Sequence, residues 1–306
     1  MELSIVIVNW NTRELTAQCL DSLRDELAAL GGQAEVVLVD NASTDGSLTH
    51  LRDRLPSLHL IPNPHNAGFA AANNQGIRRS TGRLILLLNS DTIVHPGALR
   101  ALLDFMSAHP QAAAAGARLL NPDGSLQPSC FPAPTLGREF WRLFHLDRLR
   151  PRSVYNMADW RTDQPREVDN ILGACMLLRR EIVEQVGGME EGYFMYSEET
   201  DWCLRIRRAG GRVYWVPQAQ ITHLGGQSTR QAETQMFLAL YRSKIMYFRK
   251  HHSRLHALAF KLLLLLACAA RLLAAPLALL QPPPARAQNL ALAGRYWRLV
   301  GALPGY

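Results

Sequence analysis

Four short stretches of the chain concentrate side chains that can act on a phosphate-bearing substrate. Ser197-Glu198-Glu199-Thr200-Asp201-Trp202 sets three carboxylates within four residues. A helix starting there stabilises a carboxylate through its dipole, but three exceed what a cap needs. Glu199 is therefore a candidate to take the proton of an incoming hydroxyl, with Glu198 and Asp201 orienting it or touching the acceptor. Asn89-Ser90-Asp91 ends an apolar run abruptly in polar side chains. A carboxylate there can hold Mg or Mn against two phosphate oxygens, or simply cap a helix ahead of Pro96. Asp40 can accept hydrogen bonds from a uracil or thymine ring, with Asp45 shaping the pocket, or can close a tight loop. His223, before Leu224-Gly225-Gly226, is a candidate second metal ligand; a lone histidine is more often structural, and only the nearby acids raise it above that. Breaking a sugar–diphosphate bond needs a grip on the nucleotide, positive charge on the departing phosphates and a base for the attacking hydroxyl, and these stretches answer to those needs.

The elements that must position these groups read as alternating strand and helix. Leu3 to Val8 is an apolar run without the basic flank or length of a signal peptide, so it reads as a first strand. Asn11 and Glu14 resemble a capping box for a helix whose apolar positions are Leu15, Cys19, Leu23, Leu27 and Leu30, stopped by Gly31-Gly32. Strands follow at Glu35 to Asp40, Leu58 to Ile61 and Leu84 to Leu88, with helices at Ser47 to Leu55 and Asn66 to Ser80. This order predicts an α/β fold, a mostly parallel sheet flanked by helices. Ligands bind such sheets at the carboxyl ends of the strands, where Asn9, Asp40 and Asp91 fall. A nicotinamide-binding turn is excluded, because Asn9-Trp10-Asn11-Thr12 has no glycine pattern. Further on, a helix is expected at Pro96 to His109, strands at 112–117, 174–178, 212–216 and 219–222, and a helix at Glu198 to Ala209. Residues 126 to 166 read as a long connection or acceptor-side loop.

Charge divides the chain. Ten of the 33 basic side chains and none of the 26 acidic ones lie beyond Glu233, so the tail carries +10 and the rest −3. A cationic tail seeks a polyanion. Nucleic acid is disfavoured by the acidic body and the lack of base-stacking motifs, leaving the anionic membrane surface as the expected partner. Leu262 to Leu280 is apolar but interrupted by Arg271 and Pro276, which disfavours spanning. Lys250, Arg254 and Lys261 are expected on one helical face opposite leucines, as in a helix lying in the lipid interface, and Gln281-Pro282-Pro283-Pro284 as a break before a short amphipathic end. The five cysteines are odd in number and show no C-x-x-C pair, as in reduced thiols of a cytosolic protein. The expected organisation is 1–233 catalytic, divided into a nucleotide-binding half (1–95) and an acceptor-side half (96–233), then 234–306 as a helical tail, with the protein peripheral on the inner face of the plasma membrane.

Five segments together carry a family resemblance over about residues 1 to 250. Val39-Asp40-Asn41-Ala42-Ser43-Thr44-Asp45-Gly46-Ser47, Asn66-Ala67-Gly68-Phe69-Ala70-Ala71-Ala72-Asn73-Asn74, Asn89-Ser90-Asp91, Gly173-Ala174-Cys175-Met176 and Glu198-Glu199-Thr200-Asp201 resemble glycosyltransferase family 2, particularly its bacterial rhamnosyltransferase-like branch. The resemblance implies a GT-A fold, an inverting single displacement, Mg or Mn, and a nucleoside diphosphate sugar, dTDP- or UDP-linked. It puts Asp40 on the base, Asp91 on the metal with His223 assisting, and Glu199 as catalytic base. Asn9, Asn41, Asp45, Asn66, Gly68, Asn73, Asn89 and Gly173 are expected to line the nucleotide sugar, with Asn74 beside them. Two positions depart from the pattern. Asn89 stands where many relatives carry the first aspartate of Asp-x-Asp, which leaves coordination to Asp91 alone or with His223. Glu199 stands where many carry aspartate, which keeps Asp201 as the alternative base. The expected reaction is transfer of L-rhamnose to a lipid-linked glycan in cell-surface polysaccharide assembly, with galactofuranosyl or glucosyl transfer, or sugar-nucleotide binding without catalysis, as alternatives.

Overall fold

The computed structural model describes residues 1–55, 58–226 and 232–306. These form two compact units. The first comprises Met1–Ala133, Tyr155–Phe194 and the described residues of Glu198–Gln231; the second comprises Pro134–Val154, Met195–Ser197 and Ala232–Tyr306. Residues 134–154 thus group with the tail residues.

In the first unit, β1 (Leu3–Asn9), β2 (Ala34–Asp40), β3 (Leu58–Pro62) and β4 (Leu84–Asn89) are parallel, in the order β3-β2-β1-β4. They alternate with α1 (Arg13–Ala29), α2 (Ser47–Leu51) and α3 (Phe69–Arg79). The strand order reverses between β1 and β4, which opens the crevice where ligands of such sheets bind. The sheet continues through β5 (Thr92–Val94), α4 (Ala98–Ala108), β6 (Ala112–Leu120) and, after the small β7 (Cys130–Phe131), β8 (Arg166–Glu167) and β9 (Asn170–Ile171), β10 (Cys175–Arg179). Next come α6 (Arg180–Val186), α7 (Glu198–Arg208) and β11 (Arg212–His223). β10 inserts antiparallel between β4 and β6, while β6 and β11 run parallel. The strands of this sheet are buried on both faces: Ile5, Ile7, Leu86 and Ala115 pack on the side of α1 and α4, Val6, Ile85, Leu87 and Met176 on the side of α3 and α7. That two-sided burial is why β1 and β4 read as unbroken apolar runs.

Several local expectations change. No capping box forms at α1, because Asn11 is left-handed (φ 51°) and its Oδ1 accepts from the Thr44 N–H at 2.7 Å, while Glu14 pairs with Arg13. α3 begins at Phe69 and not Asn66: Gly68 has φ +86°, and a Cβ there would lie 2.7 Å from the Phe194 carbonyl oxygen. The two strands expected at 212–216 and 219–222 are one strand, irregular between Val216 and Gln220 where Pro217 cannot donate to the ladder. Five free, buried cysteines fit the reduced-thiol expectation, and burial pushes Cys19, Cys130, Cys175 and Cys203 up to about 12.

The second unit is helical. α5 (Leu136–Leu143) lies in the stretch expected as a loop, and α8 (Glu233–His251), α9 (Arg254–Ala274) and α10 (Pro283–Ala302) complete it around Tyr241, Phe248, Phe260, Leu264 and Leu299. A buried ion group ties α5 to α8: Glu139 accepts from Lys244 at 2.6 Å and from Arg142. Desolvation lowers Lys244 to about 8 against the opposing pull of Glu139. α10 is a full 20-residue helix started by proline at its first turn, so the expected short end is corrected. Arg271 turns inward, donating to the carbonyls of Leu143 and Ala267, and lies 5.0 Å from the Tyr296 ring centre. Lys261 folds back onto the Tyr306 carbonyl and does not join Lys250 and Arg254 in an outward row. The outward face of α9 is consequently leucine: Leu255, Leu258, Leu262, Leu266 and Leu273 are all more than half exposed. Arg254–Leu280 is long and apolar enough to cross a membrane, with mean hydropathy 2.3 and 22% of its most apolar stretch buried.

Candidate active site

The register of the parallel strands brings the polar chain ends together. Asn9 pairs with Asp40, Val8 pairs with Asn89, and the Asn89 N–H donates to the Ala174 carbonyl at 3.0 Å. Each strand stops where its side chains become polar, so one edge of the sheet collects them.

At the β1/β2 end, Asn9 is completely buried and fully used. Its amide nitrogen donates to Asp40 Oδ1 (2.7 Å) and Ser43 Oγ (3.0 Å), and its oxygen accepts from the hydroxyls of Thr12 and Thr16, both at 2.8 Å. Asp40 also accepts from the Ser43 N–H at 3.0 Å, the tight-loop geometry of an aspartate turn. Asn41 braces the next loop, donating to Asn66 Oδ1 at 2.8 Å and accepting from the Ala67 N–H at 2.9 Å; Asn66 in turn receives the Gly68 N–H. Thr12 lies 3.1 Å from Ser90 across the β1/β4 crevice. Asp45 accepts from the N–H groups of Arg13 and Ser47. Burial raises its carboxyl, and the Ser47 and Arg13 hydrogen bonds outweigh that and hold it below the usual carboxylate value. Asp45 therefore holds the loop after β2 against the start of α1. Asn73 donates to Phe69 O, and Asn74 exchanges hydrogen bonds with the Met189 backbone; both amides brace α3, contrary to the expectation that they face the sugar.

At the β4 end, Asp91 and His223 meet. Asp91 Oδ1 and the Asn89 amide nitrogen each lie 3.3 Å from His223 Nε2. His223 Nδ1 is 2.7 Å from Gln127 Oε1, and Gln127 Nε2 returns a bond to the His223 carbonyl at 3.0 Å. Gln127 Oε1 can only accept, so Nδ1 donates to it and Nε2 is the ring nitrogen turned toward Asp91 and Asn89. Nε2 is thereby the nitrogen placed to reach a metal beside Asp91, with Nδ1 held by Gln127. Among the described residues no group of three or more His, Cys, Asp or Glu could hold a metal. Two protein ligands, Asp91 and His223, fit Mg or Mn completed by phosphate oxygens and water, and fit zinc poorly. Gln127 was missed in sequence because it lies in a stretch with weak periodicity.

Glu199 sits in the first turn of α7, entered through two consecutive left-handed residues, Tyr196 (φ 69°) and Ser197 (φ 67°). Gly173 lies beside the carboxylate: a Cβ built on it would stand 3.9 Å from Glu199 Oε1, an ordinary contact. Glu199 Oε2 is enclosed and meets no hydrogen-bond partner among the described residues. Desolvation raises the Glu199 carboxyl above the usual value, more than the N–H groups of Glu199 and Gly173 lower it. Glu198 is buried beside it. Asp201 has another position than expected: fully buried, it accepts from Arg205 Nε at 2.7 Å, and Arg205 clamps the carbonyls of Val186 and Gly188. It anchors α7 and is withdrawn from the acceptor.

The model of the glycosyl transferase family 2 matches residues 4–187. The chain belongs to glycosyl transferase family 2. It is 32% identical over 234 residues to the N-acetylglucosaminyl-diphospho-decaprenol L-rhamnosyltransferase of Mycobacterium tuberculosis (strain ATCC 25618 / H37Rv), covering 71% of this chain and 75% of that one. It is 30% identical over 214 residues to the low-salt glycan biosynthesis hexosyltransferase Agl10 of Haloferax volcanii, covering 68% and 62%. Among solved structures it resembles the mannosyltransferase PcManGT of Pyrobaculum calidifontis in complex with GDP-Man and Mn2+, with TM-score 0.58 and 19% identity, covering 98% of this chain and 85% of that one. That likeness shows the GT-A fold. In this glycosyltransferase the first turn of α7 carries the buried Glu198 and, next to it, Glu199, whose carboxyl is raised by desolvation.

Proposed function

We propose that the chain is an inverting, metal-dependent glycosyltransferase that moves L-rhamnose from a dTDP- or UDP-linked donor to a lipid-linked glycan in cell-surface polysaccharide assembly. The single observation that carries the chemical part is Glu199: an enclosed carboxylate oxygen without a partner, with its pKa pushed up by burial. A carboxylate with a raised pKa is the stronger base for a hydroxyl proton. Asp40, fixed by Asn9, accepts from the ring N–H of the pyrimidine. Asp91 and His223 hold the Mg or Mn ion, which supplies positive charge to the departing diphosphate. The acceptor oxygen attacks the anomeric carbon directly as its proton passes to Glu199 and the diphosphate leaves, so the anomeric centre inverts, while Asp201 stays tied to Arg205. The similarity to a rhamnosyltransferase supports the sugar. A donor panel of dTDP- and UDP-sugars with Mg or Mn tests this; turnover with dTDP-rhamnose is expected, and galactofuranosyl or glucosyl transfer in its place would replace the sugar while keeping the mechanism.

The same reading puts α9 on the inner membrane surface. The exposed residues from Leu262 to Leu280, on α9 and just beyond it, are all apolar, Arg271 is turned inward, and the tail has cations without acids. Apolar burial and attraction to anionic headgroups then act together. Flotation with vesicles containing anionic phospholipid should carry the protein upward; protein left at the bottom at low and moderate salt would contradict it.

A further inference from the structure

The acceptor side of the sheet holds one cation that the proposed reaction leaves unused. Arg118 is on β6, two residues beyond Gly116, so both point to the same sheet face. Gly116 pairs with Met176 across β10, and its face meets Ile171 of β9 and belongs to the core shared with Trp202 and Ile206 of α7. Arg118 therefore faces the side that α7 and Glu199 cover. Continuing the antiparallel register sets Arg118 level with Ala174, whose carbonyl receives the Asn89 N–H. Arg118 thus stands in the same transverse row as Asn89, two strand spacings away, about 10 Å.

The arginines that brace this unit each have a partner: Arg179 the carbonyls of Met106 and Ala112, Arg180 Gly82 O, Arg205 Asp201, and Arg207 Asp169 through Nη1, although Arg207 Nε is enclosed without one among the described residues. Arg118 is different. Its Nε is enclosed, and among the described residues its guanidinium forms no hydrogen bond or ion pair. A desolvated donor with no acceptor destabilises the fold unless an anion completes it. The charged groups already at this edge, Asp91, Glu198 and Glu199, would repel a phosphate, so the reaction needs a cation on this side as well as the ion at Asp91.

We propose that Arg118 is a phosphate-binding residue, with its Nε–H and one terminal N–H gripping an oxygen pair of a diphosphate as substrates assemble beside Glu199. This rests on the glycosyltransferase reading above and adds to it the second anion site. Two substrates carry that chemistry, the nucleoside diphosphate of the donor and the diphosphate of a lipid-linked acceptor. Titration of the full chain with UDP and dTDP on one arm and farnesyl diphosphate on the other separates them. The variant R118Q should weaken one arm by about 10- to 100-fold, the range for a charge-assisted hydrogen-bond pair, and leave the other within about twofold. In the wild-type protein the Arg118 Nε–H resonance, assigned by its loss in R118K, should shift with the same ligand; this keeps the test open if R118Q does not fold. Binding of both classes within about twofold of wild type in R118Q, or an Arg118 resonance unmoved by either ligand at saturation, overturns the proposal while leaving the glycosyltransferase reading intact. A wild-type protein that binds neither class would instead remove that reading, and this inference with it.

Discussion

At the β1/β2 edge nearly every buried polar atom has a protein partner, whereas at the start of α7 and on β6 enclosed atoms are left open. Asn9 alone makes four hydrogen bonds and Asn41 joins two loops, so this edge is held in one arrangement by the protein itself. Among the described residues Glu199 Oε2 and Arg118 Nε have no such company. The contrast separates two uses of polarity in one sheet. A satisfied network positions a substrate, and an unsatisfied group is kept reactive, at a cost in stability.

Glu199→Gln strikes the open side and should give the largest effect. Turnover is expected to fall by about 10²- to 10⁴-fold, the usual contribution of a general base, with donor affinity measured by calorimetry unchanged. Equal losses of turnover and donor binding would mean that Glu199 belongs to the positioning network. Stability should move the other way. The folded-state pKa of Glu199 is raised, so its contribution is complete below the ordinary glutamate value and is lost as pH rises through the raised one. At neutral pH the glutamine variant should therefore melt higher than wild type.

Asp91→Asn comes next, with turnover lowered by about 10²-fold and the stimulation by Mn lost. Persisting metal stimulation would release Asp91 from its role. On the closed side, Asn9→Ala leaves Asp40 and two threonine hydroxyls short of a partner, and unfolding in denaturant should show a loss of about 2 to 3 kcal/mol. A loss under about 0.5 kcal/mol would mean the network is not what holds the edge. The smallest effect on chemistry is expected from Leu266→Asp with Leu273→Asp. Vesicle affinity should fall by about tenfold or more per leucine withdrawn from lipid, with turnover on a soluble acceptor unaltered. Unchanged flotation would separate the leucine face from the membrane.

The sheet was legible because strands buried on both faces leave apolar runs and because helices between them repeat at helical spacing. The polar residues at strand ends followed from position alone. What stayed hidden depended on partners distant in sequence. Asp201 looks like a third acid until Arg205 is seen clamping the 186–188 turn, and Asn74 looks like a sugar contact until Met189 is found on its amide. Arg271 counted against a spanning helix in sequence, where the inward turn of its side chain cannot be seen. Asn11 was lost as a cap for a similar reason: Thr44 competes for its oxygen. Gln127 and Arg118 lie in or beside a stretch without periodicity, and nothing local marks them.

The most direct test of the central claim is the pH dependence of kcat/KM for the wild-type chain and for Glu199→Gln. The acid limb of the wild-type profile should lie above the usual carboxylate range, as burial of an unpartnered carboxylate requires, and it should vanish from the residual activity of the variant. An acid limb at the ordinary glutamate value, or one that survives the substitution unchanged, would show that another group takes the proton.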